Sequence, residues 1–183
     1  ANILALFTQV VVTEMKRNID DIAISLFGVC YIVFFLAFAP LIRDSMENGK
    51  ILIWYVFFAA WGTDIFAYLI GKNLGKHKFT SLSPNKSIEG CLGGILGSIL
   101  FVMGYTVICN SIWNMEISYL YAFGVSVFLS ILSQIGDLAA SSVKRHCEIK
   151  DYSNLIPGHG GILDRIDSVI FILPFAYFLL SVI

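Results

Sequence analysis

Four stretches of about twenty residues, 22–42, 51–71, 90–109 and 117–143, carry at most one charge each, and they constrain this 183-residue chain more than any other feature. Each is long enough for a helix to cross the hydrocarbon core of a bilayer, which takes about 20 apolar residues. Inside that core the backbone N–H and C=O groups have no water to bond, so such runs are expected as helices. A fifth run, 162–183, qualifies once the charges at its start are placed at the interface. Composition agrees. The chain is 57% hydrophobic and 14% charged, against about 25% charged in soluble domains. The expected fold is all-α, a polytopic integral membrane bundle of about five transmembrane helices. No internal repeat or linker divides it, so residues 1–183 are expected to be a single transmembrane domain. Residues 1–12 are apolar but too short to span, and are expected to be the end of an earlier helix.

Lysine and arginine set the expected orientation. Lys16, Arg17, Lys72, Lys76, Lys78, Lys86, Lys144, Arg145, Lys150 and Arg165 lie in the segments before span one, between spans two and three, and between spans four and five. The alternate connections hold only Arg43 and Lys50. Cytoplasmic loops carry the excess of positive charge, so loops 72–89 and 144–161 are expected in the cytoplasm and 43–50 and 110–116 outside. The net charge of −1 hides this segregation. Of the four cysteines, Cys30, Cys91 and Cys109 fall in apolar spans, and Cys147 falls in a loop expected to be cytoplasmic, where disulfides rarely persist. No C-x-x-C pair is present to form a zinc site.

The intramembrane acids fall at one depth. Asp64 lies seven residues before Gly71, and Asp137 lies seven before Lys144. At 1.5 Å per residue both are about 10 Å below the same membrane face. Asp164 and Asp167 open span five from that face and, three apart, share one side of a helix. One such acid alone could simply pair with Lys144 or Arg165 to fix helix packing. Four at matched depth make a hard-oxygen site of the kind Mg²⁺ prefers. Gly90, Gly93, Gly94 and Gly97 form two overlapping G-x-x-x-G spacings, which are assigned to close helix contact.

The loops add phosphate chemistry. "GKNLGKHKFTSLSPNKSIEG", 71–90, combines Lys72, Lys76, Lys78 and Lys86 with Ser81, Ser83 and Ser87, donors that can bind phosphate. It is not a Walker A loop, whose glycines are separated by four residues. Positive-inside bias alone can account for Lys72 and Lys78, and Lys86 in "SPNKSIEG" is the better functional candidate. In the second loop, Pro157 and the glycines at 158, 160 and 161 imply a sharp turn that lets backbone N–H groups approach a ligand. Metal, phosphate donors and a bilayer-facing position together point to phosphoryl chemistry on a lipid.

The run from Ser141 to Asp167 resembles the signature of phosphatidate cytidylyltransferases, also called CDP-diacylglycerol synthases. Its pattern is S-x-x-K-R, four residues, K-D, then P-x-H-G-G-x-x-D-R-x-D. It matches at Ser141, Lys144, Arg145, Lys150, Asp151, Pro157, His159, Gly160, Gly161, Asp164, Arg165 and Asp167. Upstream, Trp61, Asp64, Ala67, Tyr68, Gly71, Gly75 and Lys76 match W-x-x-D-x-x-A-Y-x-x-G-x-x-x-G-K. "SPNKSIEG" is similar to S-P-K-K-T-x-E-G, with Asn85 and Ser87 as departures, and Gly136, Asp137 and Leu138 supply the family's G-D-L. The front of the family's usual domain is expected to be missing from this sequence. The resemblance implies transfer of CMP from CTP to phosphatidic acid with release of pyrophosphate, dependent on Mg²⁺, a second cation being left open. Asp137, Asp164, Lys144, Arg145 and Asp167 are then the expected catalytic residues, with metal at Asp137, Asp164 and Asp167. Substrate contacts are expected at Lys76, Lys86, Ser83, His159, Arg165 and Asp64. His159 could contact phosphate, orient a carboxylate or make a structural bond in its turn. The expected partners are CTP, phosphatidic acid, membrane lipids and a second copy of the chain, with no nucleic acid. The expected location is a bacterial inner membrane or its organelle equivalent, with the active site at the cytoplasmic face.

Two other functions use some of the same features. A CTP-dependent lipid-alcohol kinase shares membrane, metal and nucleotide but transfers the γ-phosphate. A cation channel or transporter uses intramembrane carboxylates but has no need of the basic loops. The charge bias makes the orientation testable: single cysteines placed in 72–89 or 144–161 are expected to resist an impermeant thiol reagent in intact cells, and those in 43–50 or 110–116 to be labelled. The reverse pattern would put the acids at the wrong face for a cytoplasmic nucleotide.

Overall fold

The structure, a computed structural model, describes residues 19–80, 83, 86–153 and 161–183, with side chains from residue 23 onward. Lys16, Arg17, Pro157 and His159 lie outside the described residues. The chain runs through α1 (Ile19–Val29), a π-helical turn (Cys30–Phe34), α2 (Phe38–Ser45), α3 (Gly49–Leu74), α4 (Ile88–Trp113), α5 (Tyr119–His146) and α6 (Leu163–Leu180). Among the described residues there is no strand, only an isolated antiparallel bridge between Lys78 and Ser87. The all-α class is therefore as expected.

Among the described residues, four segments are long and apolar enough to cross a membrane: Ala23–Ser45, Gly49–Leu74, Ile88–Trp113 and Tyr119–His146. They correspond to the first four expected spans. The later three run further at their ends than the uncharged stretches, because Lys72 and the Lys144–Arg145–His146 triplet continue the helices past the apolar core. The expected fifth span is also helical, but its 18 residues open with Asp164, Arg165 and Asp167. Those charges keep α6 out of the apolar class and tie its first turns to a polar site.

Helix α3 is the hub, packing against α2, α4, α5 and α6, with its most extensive contact to α4. Lipid is as apolar as a leucine side chain, so helices in a bilayer associate through close packing and polar contacts. The glycines of α4 provide that closeness. A Cβ on Gly62 would lie 2.7 Å from the Gly97 carbonyl oxygen, one on Gly90 2.9 Å from that of Ala67, and one on Gly94 3.0 Å from that of Thr63. The G-x-x-x-G spacings thus serve packing, as expected. Between α5 and α6, Gly136 packs directly on Phe171.

Buried hydroxyls lace the bundle. Thr63 donates to the Ala59 carbonyl (2.7 Å), and its hydroxyl lies 2.8 Å from that of Ser130 on α5. Ser98 on α4 reaches the Ser126 carbonyl (3.0 Å), and Tyr105 the Ile51 carbonyl (2.9 Å). Such bonds keep polar groups satisfied where no water is available. The apolar core, including Ile42, Leu52, Val56, Leu129, Ile172 and Leu173, fills the end of the bundle away from the acids. At the α4–α5 turn Asn114 takes a left-handed conformation (φ 50°). Asn110 bridges back to both the carbonyl (2.9 Å) and the N–H (2.8 Å) of Ile117.

Because the obstacle at Gly62 is backbone, a side chain there must push α3 and α4 apart. Gly62→Val is expected to destabilise the bundle by about 1–3 kcal/mol, the usual cost of overpacking. Gly104→Ala, with nothing within 4 Å of the added carbon, is expected to leave it unchanged. Thermal unfolding in detergent distinguishes them.

Candidate active site

The tight α3–α4 seam opens toward the C-terminal end of α3, where the four aspartates converge. A cavity of about 340 Å³ is lined there by Asp64 and Tyr68 of α3, Lys86 and Ser87 ahead of α4, Gln134 and Asp137 of α5, and Asp164, Arg165 and Asp167 of α6, among others. Carboxylates from three helices at one depth, inferred from helix rise alone, do line one cavity.

Each acid is held differently. Lys86 forms an ion pair with Asp137. Lys144, one turn beyond the middle of the site on α5, bonds Asp164 at 2.8 Å and lies 3.8 Å from Asp167. Its side chain is 12% exposed, and those of Asp164 and Asp167 are 7% and 8%. Charges this secluded are costly unless paired and hydrogen-bonded. Asp164 has the fullest set of donors, also accepting from the backbone N–H groups of Tyr152 (2.9 Å) and Gly161 (3.0 Å). Asp167 accepts from the Ser168 N–H (2.8 Å), and Asp64 from the Ser168 hydroxyl (3.2 Å). Serine 168 therefore links the α3 acid to the α6 pair.

The loop after α5 folds back to complete this knot. Tyr152 places its ring 5.1 Å from the Lys144 ammonium and donates its hydroxyl to the Ala140 carbonyl (3.2 Å). Burial, with Asp167 and Asp164 nearby, pushes the Tyr152 phenol above its ordinary range, so it stays a neutral donor.

Of the residues expected in the site, Asp64, Asp137, Asp164, Asp167, Lys86 and Arg165 line the cavity, and Lys144 is tied to it through two of the acids. Lys76 and Arg145 are exposed and do not line it, and Ser83 sits in the loop outside its wall. His159 lies outside the described residues. Asp137, Asp164 and Asp167 do not assemble as a ready cage: among the described residues no three His, Cys, Asp or Glu side chains form a metal-ligating group. The reason is visible in the partners, since lysines and backbone N–H groups occupy the oxygens that a cage would need. Sequence reasoning missed Gln134, whose amide donates to the Cys91 carbonyl (3.1 Å). The available signal was an amide one turn from Asp137 in an apolar helix.

Lys144→Ala would strand two secluded carboxylates, so a loss of about 3–5 kcal/mol is expected, as for other broken buried pairs. Adding Asp164→Asn to that variant is expected to restore part of it, because one stranded charge is removed. Thermal unfolding of the two single variants and the double variant in detergent measures this coupling.

Known proteins resemble this chain along nearly its whole length. The model of the cytidylyltransferase family matches residues 1–183. The phosphatidate cytidylyltransferase of Bacillus subtilis (strain 168) is 37% identical over 180 residues, covering 98% of this chain and 65% of that protein. That of Staphylococcus aureus (strain COL) is 39% identical over 172 residues, covering 93% and 63%, and that of Staphylococcus haemolyticus 38% over 180 residues, covering 96% and 65%. The chain thus spans just under two-thirds of the length of these relatives. Matched from end to end by the family model, and at more than a third of positions by these relatives, the chain belongs to the cytidylyltransferase family.

Proposed function

We propose that this chain is the catalytic part of a phosphatidate cytidylyltransferase, transferring CMP from CTP to phosphatidic acid. The observation that carries the reading is the meeting, at one cavity of a bundle fit to cross a membrane, of four carboxylates with Lys86 from the connection before α4 and Lys144 from the end of α5. Phosphatidic acid brings its phosphate at the bilayer surface, and the lysine and arginine bias of the loops supports a cytoplasmic face for this cavity, where CTP is found. A second copy of the chain is the expected partner.

In the reaction a phosphate oxygen of the lipid attacks the α-phosphorus of CTP. The bond from the α-phosphorus to the bridging oxygen breaks, and pyrophosphate leaves. No side-chain nucleophile is needed, so the protein's tasks are to bring two anions together and to hold them in line. Lys86 supplies positive charge at the cavity wall and Lys144 behind Asp164 and Asp167, each exchanging part of its pairing with Asp137 or Asp164 for phosphate oxygens. Arg165, on the same wall, adds a fork able to take two oxygens at once. Tyr152 and the backbone N–H groups of Tyr152 and Gly161 keep the Lys144–Asp164 pair in place.

The donor chemistry fits Mg²⁺. This ion is bound by one or two carboxylates together with substrate phosphates, so a complete protein cage is not required. Asp137 and Asp167 are the residues that would hold it, and Asp64 and Asp164 line the same cavity. When bound, the ion would neutralise charge on the phosphates. The four carboxylates exceed the cationic side chains of Lys86, Lys144 and Arg165 by one charge, which favours cation uptake.

The test is to supply the purified protein with phosphatidic acid, Mg²⁺ and CTP labelled at either the α- or the γ-phosphate. The α-label is expected in a chloroform-soluble liponucleotide and the γ-label in pyrophosphate. Given a lipid alcohol as well, a CTP-dependent kinase would instead put the γ-label in lipid and leave the α-label in CDP, and a channel would transfer neither. Asp137→Asn is expected to lower turnover by at least about 100-fold, the scale seen when an electrostatic partner of a reacting group is removed. It should leave the thermal midpoint within a few degrees. Unchanged turnover would remove Asp137 from the mechanism.

A further inference from the structure

The cavity residue Lys86 does not sit on a helix. It lies at the end of the 75–87 connection, and something must hold that connection in register for its ammonium to meet Asp137. The structure supplies a clamp. The Glu89 carboxylate, in the first turn of α4, accepts the backbone N–H groups of Lys76 (3.2 Å) and His77 (3.3 Å) and lies 2.6 Å from His77 Nδ1. One acidic side chain thus gathers the outgoing arm of the loop onto the helix that follows it.

That arm in turn holds the returning one. The Phe79 N–H donates to the carbonyl of Lys86 itself (3.0 Å), and the Ile88 N–H to the His77 carbonyl (3.0 Å). Lys78 and Ser87 complete the bridge. On the returning arm the Lys86 N–H donates to the Ser83 carbonyl (3.0 Å), and the Ser87 hydroxyl caps α4 through the Gly90 N–H (3.1 Å). Every link from Glu89 to the backbone of Lys86 is therefore a hydrogen bond in the structure. His77 is 74% exposed and Glu89 27%, so an isolated pair between them would add little to stability. What distinguishes Glu89 is its simultaneous hold on two backbone N–H groups and the imidazole.

We infer that Glu89, with His77, is a positioning residue for Lys86: it clamps the 75–87 loop so that the lysine ammonium is presented to the cavity. The inference rests on the reading of Lys86 as a phosphate-binding residue, but the clamp is testable apart from it. Glu89 does not line the cavity, and its effect passes through the loop.

The first measurement uses no substrate. The purified protein in detergent is exposed briefly to an amine-acylating reagent, and modification of Lys86 and Lys144 is quantified by mass spectrometry. Glu89→Ala is expected to raise Lys86 modification several-fold and leave Lys144 unchanged, because Lys144 is fixed by a different loop. His77→Ala, which keeps both backbone bonds, is expected to have a smaller effect in the same direction. Where Glu89→Ala raises both lysines, signalling general loosening, Glu89→Gln decides, since it can still accept one backbone bond. Unchanged Lys86 modification in Glu89→Ala, or equal increases at both lysines in Glu89→Gln, would overturn the clamp whatever the enzyme's activity.

The second measurement asks whether the clamp acts through Lys86. Glu89→Ala is expected to lower kcat/KM for CTP by about tenfold or more, the scale of lost hydrogen bonds to a charged group. In a Lys86→Ala background the same substitution is expected to cost less than about twofold. Equal losses in both backgrounds would show that Glu89 acts by another route and would overturn the assignment. Absence of any CTP-dependent transfer in the unmodified protein would instead count against the proposed function, and the labelling result would still decide the clamp.

Discussion

Carboxylates secluded within an apolar bundle must find positive charge at their own depth, and much of this structure serves that need. Lys86 pairs with Asp137 and Lys144 with Asp164 and Asp167. Lys144 does so from the last turn of α5, but Lys86 could not do so from an unrestrained loop, because ordering a long side chain and its backbone costs entropy that an exposed ion pair cannot offset. The 75–87 connection is therefore bridged and clamped, and the connection after α5 folds its Tyr152 onto Lys144 and its backbone onto Asp164.

The same arrangement suits anion chemistry. Lysines already compensated by aspartates are positioned at little further entropic cost, and an arriving phosphate has only to take over part of that pairing. A cavity whose charges are fixed before the ligand enters is preorganised in the sense that matters for charge-developing reactions. The glycine seam between α3 and α4 contributes indirectly. Close approach of the two backbones at Gly62, Gly94 and Gly97 brings together α3, which carries Asp64, and α4, whose cap Ser87 lines the same cavity.

Conserving charge balance also explains why the three acids expected as metal ligands do not form a cage by themselves. Asp164 spends its oxygens on Lys144 and on two backbone N–H groups, a structural task that sits at the first turn of α6, where negative charge is favoured by the helix N-terminus. Asp137 and Asp167 are less fully occupied and carry more of the proposed role toward the cation. The two readings open for an intramembrane acid, packing partner or reactive group, are thus both realised, on neighbouring residues.

Much of this was legible in the sequence by itself. Uncharged runs of bilayer length dictate helices because lipid offers no partner for a bare backbone. The constant rise of a helix then places Asp64 and Asp137 at one depth without knowledge of any contact, and the G-x-x-x-G spacing marks the seam because only glycine admits a neighbouring backbone so closely. What the sequence could not decide was pairing. Which lysine meets which aspartate depends on loops whose paths are set by backbone bonds between residues with no periodic pattern, such as Phe79 to Lys86 and Tyr152 to Asp164. For the same reason Lys76 and Arg145, alike in charge to Lys86 and Lys144, turned out to lie away from the cavity, and Glu89, the acid of "SPNKSIEG" to which the sequence alone assigned no role, proved to hold three groups at once. Helical periodicity is local and readable; the direction in which a loop delivers a charge is a property of the tertiary structure alone.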